Sequence, residues 1–218
     1  MKGEPESGGA AKPIPFETFV PLTELPFIHH AFTLRTSADT KADDFERRFV
    51  AAQGFSPDSY ACAEQPHGNS VGVPTREARR MPDVDALATC EPGLPLVVRC
   101  ADCAAVYLVD RGRPAIALIH SGKKGTLGNI VGNMIERMRS QFGTRPQDCV
   151  AFISPSIGPC HYEVDLWSTI DRQLQEERVR EIYSPRVCTA CHLDRYFSYR
   201  AEKGKTGRML ALLALNPP

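Results

Sequence analysis

At 218 residues, with 42% apolar and 24% charged side chains, the chain has ordinary globular composition and enough length to bury a sizeable core. Twenty-six basic side chains balance twenty-six acidic ones, which excludes a global field that would draw nucleic acid or an anionic membrane surface. The longest apolar runs, such as "MLALLAL", are far too short to span a bilayer.

The opening "MKGEPESGGAAKPIPFE" has no apolar stretch of export-signal length. Its Glu, Gly and Pro content predicts a flexible tail over 1–14, ahead of a single domain over 15–218. Without an export signal the protein is expected in the cytoplasm, where its eight cysteines stay thiols or metal ligands. "RTSADTKADD" reads as a polar loop leading into a helix over roughly 42–53. From about residue 84 strands dominate: "VDALATC", "LPLVVR", "AVYLVD" and "PAIALIH", each bounded by Gly, Pro, Asp or Arg.

The period then changes. In "TLGNIVGNMIERMRSQFG" the residues Leu127, Ile130, Val131, Met134, Ile135 and Met138 follow helical spacing, with Thr126 as N-cap and Gly143 as the stop. A strand "CVAFISP" follows, then a helix over roughly 165–177, another around 193–202, and a final strand in "MLALLALN". Strands and helices interspersed without strict alternation predict an α/β (α+β) fold of mixed sheets with helices packed outside.

Two C-x-x-C pairs, Cys100 with Cys103 and Cys188 with Cys191, suggest a zinc ribbon; one pair alone suggests a redox dithiol. A third reading is that a single cysteine does chemistry and the others pack. His67 lies beside a glycine in "EQPHGNSV", Cys103 follows Asp102 before an apolar strand, and His120 ends "PAIALIH". Two imidazoles and a thiol suit zinc or copper and leave a fourth position open, as catalytic sites do. Their separations of 36 and 17 residues carry almost no metal signal, and from chemistry alone each reads more readily as an isolated turn or core residue than as a ligand. The loop "HSGKKGT" runs from a strand end to a helix start, where backbone N–H groups and Lys123 and Lys124 would attract an anion. It does not match the Walker pattern, and from the residues alone a solvated glycine turn is the better reading.

Taken together, "QPHGNSV", "DALATCEPGLPLVVRCADCAAVYLVD", "ALIHSGKKGTLGNIV", "ISPSIGPCHYEVD" and "CTACHLDRYFSYRAEKGKTGR" resemble the YfiH/laccase-domain family in order and spacing. The resemblance runs from "FIHHAFTLR" to the C-terminus. Members have been called multicopper polyphenol oxidases and are better described as purine nucleoside phosphorylases with adenosine deaminase activity. The resemblance implies mixed sheets flanked by helices, related to toxin cysteine hydrolases. It carries the family's metal ligands, which are also its catalytic residues, onto His67, Cys103 and His120.

Three stretches depart from the family pattern. The loop H-A-G-W-R-G is here His120-Ser121-Gly122-Lys123-Lys124-Gly125, which loses a flat indole and a bidentate fork but keeps charge. Cys-Cys-Tyr-Glu becomes Cys160-His161-Tyr162-Glu163, and Cys100 stands where Thr is usual.

The function this implies is zinc-dependent phosphorolysis of adenosine or inosine, with deamination as a second reaction. His67, Cys103 and His120 would hold about one zinc, with copper as the alternative. Gly122, Lys123, Lys124 and Gly125 would contact phosphate or substrate. Glu64 and Asp102 are the carboxyls near in sequence. The expected partners are nucleoside and phosphate, not nucleic acid or membrane, in a monomer or weak dimer. Competing readings are a copper polyphenol oxidase, for which six histidines are few, a cysteine hydrolase in which His120 activates Cys103, and a non-enzymatic four-cysteine zinc module. If "AVYLVD" extends backwards as a strand, Cys100 and Cys103 face opposite ways and do not chelate together. Cys188 and Cys191 then belong to a structural segment near the site.

Overall fold

The computed structural model describes residues 13–36 and 42–217. All but the last two residues of the expected tail over 1–14, and the middle of the polar loop before the first long helix, lie outside the described residues. Ile14 packs against the buried side chains beneath α2.

In chain order the elements are β1 (Phe16–Glu17), the single turn α1 (Val20–Thr23), β2 (Ile28–Thr33), α2 (Ala42–Ala52), β3 (Ala61–Ala63), β4 (Val71–Gly72) and β5 (Arg80–Met81). There follow β6 (Ala86–Thr89), β7 (Leu96–Cys100), β8 (Ala104–Asp110), β9 (Ala115–Ser121), α3 (Lys123–Leu127), α4 (Ile130–Phe142) and β10 (Cys149–Ile153). The chain closes with α5 (Leu166–Glu176), β11 (Glu181–Tyr183) and β12 (Met209–Leu215).

The strands form two six-stranded mixed sheets, ordered β1-β2-β12-β7-β3-β5 and β11-β10-β8-β9-β6-β4. The sheets pack face to face. Phe32, Val98, Ala211 and Leu213 of the first meet Leu87, Tyr107, Val109, Leu118 and Phe152 of the second in one buried cluster. The period-two alternation sends the intervening residues outward. On the second sheet Val106, Leu108, Ala117, Ile119 and Ala151 pack under α4 and α5 through Val131, Met134, Ile135, Ile170 and Leu174. On the first, Ala31, Val97, Leu210 and Leu212 pack under Phe49 and Val50 of α2. A strand covered on both faces must be apolar throughout, which is why "AAVYLVD" and "MLALLAL" show no polar alternation. The expected mixed sheets with helices outside are what the structure shows.

Two expected helices differ. The helix expected from Thr126 is broken in two: Asn129 adopts a left-handed conformation and caps α4, its side chain accepting from the Gly132 N–H at 3.2 Å. Leu127, on the wrong side of that break, is exposed. Gly143 does end α4 with φ of 69°.

No helix forms around 193–202; the segment is a run of turns. Side chains have captured its backbone donors. The Arg200 N–H goes to Asp102 Oδ2 at 2.7 Å, the Ser198 N–H to Glu202 Oε2 at 3.0 Å, and the Ala201 N–H to Ser198 Oγ at 3.1 Å. Carboxylates and hydroxyls offering such bonds compete directly with the helical ladder.

Candidate functional site

The sheet ends deliver the site. His120 shares the parity of Ile116 and Leu118 on β9, so it points between the sheets, just where β9 runs out. Cys103 lies in the short crossing that takes the chain from β7 in one sheet to β8 in the other. The premise that β8 extends back through this segment therefore fails. Cys100 ends β7, buried in the inter-sheet core, and Cys103 is separated from it by a bend in which Asp102 has φ of 84°. Cys100 is not part of the group that Cys103 forms with His67 and His120.

His67 sits in the turn after β3, itself left-handed with φ of 65°. Non-glycine residues in this region are uncommon and persist only where their surroundings hold them. Gln65, at φ 67°, shows how. Its side-chain amide pairs with both backbone groups of Arg99 on β7, at 2.8 and 2.9 Å, while its own carbonyl meets His67 Nδ1 at 3.1 Å.

These three elements bring one ligand atom each from His67, Cys103 and His120 within 4.8 Å of one another. The two imidazole rings stand perpendicular, 4.8 Å between centroids. Asp85, which sequence reasoning missed, organises both. Its Oδ1 lies 2.9 Å from His120 Nδ1 and accepts from the His67 N–H at 2.9 Å; its Oδ2 accepts from the Gly68 N–H at 2.7 Å. Because the Nδ1 atoms of His67 and His120 face oxygen acceptors, each ring carries its proton there and keeps the Nε2 lone pair free. Two imidazoles and a thiol, with outer-shell acceptors in place, make a donor set fit for a borderline-soft cation.

The electrostatics of Asp85 and His120 suit that donor set. Burial pushes the Asp85 carboxyl up, but the bonds from His120, Gly68 and His67 outweigh it and hold the group below its ordinary value. Burial, only partly offset by Asp85, lowers His120, favouring the neutral imidazole. Burial, with the carboxylates of Asp102 and Asp85 adding to it, pushes the Cys103 thiol up to about 12. A thiol so raised is a poor nucleophile at neutral pH, which weighs against the cysteine-hydrolase reading.

The three residues lie along one cleft of about 770 Å³, lined also by Glu64, Asp102, Lys124, Tyr162, Tyr199 and Arg200. Lys123 lines it too, but its Nζ is 2.7 Å from Glu163, which also pairs with Arg200 at 3.2 Å. Among the described residues Lys124 has no ion pair. Gly122 and Gly125 serve close packing: a Cβ on Gly122 would stand 2.8 Å from Cys103 Sγ, and one on Gly125 2.7 Å from the Gly68 carbonyl oxygen. Arg200 stacks on Tyr162, 4.8 Å from its centroid, so an aromatic face is present although the loop lacks an indole. Of the two carboxyls near in sequence, Asp102 is occupied on both oxygens, by Thr189 Oγ1 and the Arg200 N–H. Glu64 engages one oxygen with the Asp83 N–H.

The remaining cysteines do not assemble the four-cysteine ribbon. Cys188 and Cys191 instead meet Cys160 and His161, in a cluster apart from His67, Cys103 and His120. All eight cysteines are free thiols. Among the described residues no helix is long and apolar enough to cross a membrane.

A family model described as multi-copper polyphenol oxidoreductase laccase matches residues 33–166 and 163–216. A purine nucleoside phosphorylase of Deinococcus radiodurans is 30% identical, covering 90% of this chain and 93% of that protein. Purine nucleoside phosphorylase YlmD of Geobacillus stearothermophilus is 30% identical, covering 77% of this chain and 76% of that protein. The crystal structure of that species' YlmD superposes with a TM-score of 0.85 at 25% identity, covering 94% of this chain and all of that one. A Bacillus licheniformis protein, YfiH, shares the fold at a TM-score of 0.83 and 21% identity, over 88% and 94% of the two chains.

Proposed function

The chain belongs to the multi-copper polyphenol oxidoreductase laccase family, and we propose that within it this protein is a zinc-dependent purine nucleoside phosphorylase. The observation that carries the proposal is the convergence of His67, Cys103 and His120 on one cationic cleft. The names of the relatives support the substrate class.

In this reading adenosine or inosine loses its base as the C1′–N9 bond breaks. The bonding electrons leave with the base nitrogen, which gains a proton, and a phosphate oxygen bonds to C1′, giving ribose 1-phosphate. Most of the acceleration must come from positioning two reactants and stabilising their charge. His67, Cys103 and His120 would hold the zinc, which supplies a Lewis acid when bound. Lys124 offers phosphate a cation with no competing carboxylate partner among the described residues, whereas Lys123 is held by Glu163. Tyr162, backed by Arg200, offers a flat surface to a purine. Glu64 has an oxygen to spare for exchanging a proton with the departing base.

Deamination of adenosine, releasing ammonia, is proposed as a second reaction of the same cleft. Two histidines and one thiol provide for one metal ion, which favours this reading over a multicopper oxidase.

The test follows adenine, hypoxanthine and ammonia release from adenosine and inosine, with and without phosphate, at a measured zinc content. Base release that requires phosphate, and that Cys103→Ala abolishes, is expected. Absence of phosphate-dependent release from zinc-loaded protein would overturn the reading.

A further inference from the structure

The second cluster of thiols is too regular to be incidental packing. Cys188 precedes and Cys191 ends a single helical turn, and Cys160 and His161 come from the turn that follows Gly158. One ligand atom from each of the four lies within 4.8 Å of all the others. We propose that Cys160, His161, Cys188 and Cys191 form a second metal site, a closed structural zinc site independent of the one in the cleft.

The distances carry the argument. Tetrahedral zinc bonds sulfur at about 2.3 Å and imidazole nitrogen at about 2.0–2.1 Å. A tetrahedron with those arms has edges of about 3.8 Å between sulfurs and about 3.5 Å between sulfur and nitrogen. Here Cys160 Sγ and Cys191 Sγ are 3.7 Å apart. His161 Nδ1 is 3.2 Å from Cys160 Sγ, 3.5 Å from Cys191 Sγ and 3.8 Å from Cys188 Sγ. Four of the six edges therefore lie near the lengths that one ion requires, and the other two, from Cys188 Sγ to Cys160 Sγ and Cys191 Sγ, are within 4.8 Å.

The alternatives explain less. A disulfide would use two of the thiols and leave the approach of His161 to all three sulfurs without a reason. Thiol hydrogen bonds are weak, and a chain of them does not need every member close to every other. The buried sulfur, Cys188 Sγ, also accepts from the Gly158 N–H at 3.2 Å, the outer-shell support that a metal-bound thiolate uses.

Four protein ligands leave no open position, so the ion would be structural. It would clip the loop after β10 to the segment 188–191, which already touch where Ser156 bridges Cys188. Tyr162 and Glu163, immediately after His161, stand at the cleft and its Lys123 pair. The clip thus fixes one wall of the cleft.

The full chain, kept reduced, loaded with zinc and dialysed, should hold about two zinc per chain by elemental analysis. Cys103→Ala, Cys160→Ser and Cys191→Ser should each retain about one, and Cys103→Ala combined with Cys160→Ser should retain none. His161→Ala should lose the second equivalent, while His161→Cys, which restores a fourth donor, should keep it. Cobalt-loaded Cys103→Ala should show the intense visible bands of a tetrahedral thiolate site, absent after Cys191→Ser. Zinc content unchanged by Cys160→Ser and by Cys191→Ser would overturn the proposal. So would a folded Cys103→Ala protein that binds neither zinc nor cobalt. If Cys103→Ala fails to fold, the single Cys160→Ser and His161→Ala proteins decide the matter, because their cleft ligands are intact.

Discussion

Replacing Asp85 by Asn isolates what one buried carboxylate does for two histidines. Asp85 accepts from the His67 and Gly68 amides at 2.9 and 2.7 Å and holds His120 Nδ1 at 2.9 Å. Asparagine keeps the shape, but it removes the charge and turns one oxygen into a donor facing another donor. Whichever way the amide lies, at least one of these bonds is lost. A buried group left unpaired costs about 1–3 kcal/mol of stability. Losing an outer-shell partner of a ligating histidine typically weakens metal binding by about 10- to 100-fold, or about 1.4–2.8 kcal/mol. The affinity is measured by competition against a chromophoric zinc chelator at pH 7, and the stability by denaturant melts in the same buffer with the metal removed.

The sign with pH follows from the Asp85 carboxyl lying below its ordinary value of 3.8. Its stabilisation is present above about pH 4 and is lost as pH falls through the folded-state value. The stability gap between parent and Asp85→Asn should therefore close in strong acid. Zinc affinity in Asp85→Asn within about twofold of the parent would refute the claim that this carboxylate orders the ligands.

Three further outcomes follow from particular contacts. Lys123→Trp with Lys124→Arg should raise phosphate-dependent base release, up to about a hundredfold at equal zinc content, since a well-placed bidentate contact is worth about 1–3 kcal/mol. An unchanged rate would show that the loop does not limit catalysis. Gly122→Ala, whose Cβ would stand 2.8 Å from Cys103 Sγ and 3.5 Å from His67 Cδ2, should destabilise by about 1–3 kcal/mol and lower zinc content; normal zinc content would count against the tight packing of this loop. His30 is lowered from 6.5 to about 4, chiefly by burial and then by His29, and its Nε2 accepts from the Phe19 N–H. The unfolded chain protonates first, so between pH 6.5 and 4 metal-free protein should lose about 3 kcal/mol through this residue. His30→Gln, which keeps an acceptor, should flatten that part of a chelator-buffered stability profile, and an unaltered slope would assign the loss elsewhere.

Much of the architecture was legible because burial writes itself into local pattern. β8, β9, β10 and β12 are covered on both faces, so they appear as unbroken apolar runs. Gly143 marks a helix end through chemistry that acts within a few residues. The motifs around His67, Cys103 and His120 were legible as a resemblance, although their spacing carried no metal signal. Beyond that reach the sequence was silent. β12 sits between β2 and β7, pairing Leu215 with Ile28 and Leu213 with Leu96, a placement that no local pattern encodes.

Only the tertiary structure brought Asp85 under both imidazoles and Gln65 against β7, since hydrogen-bond partners tens of residues apart leave no periodic trace. The same holds for the segment 193–202. Its composition permits a helix, but its amides are taken by Asp102, Glu202 and Ser198. It holds again for Cys188 and Cys191, whose partners Cys160 and His161 lie nearly thirty residues upstream in a different loop. Local propensity reports what a residue does to its own backbone and to the nearest face of the core. Which polar groups converge at the ends of two packed sheets is decided by the packing itself.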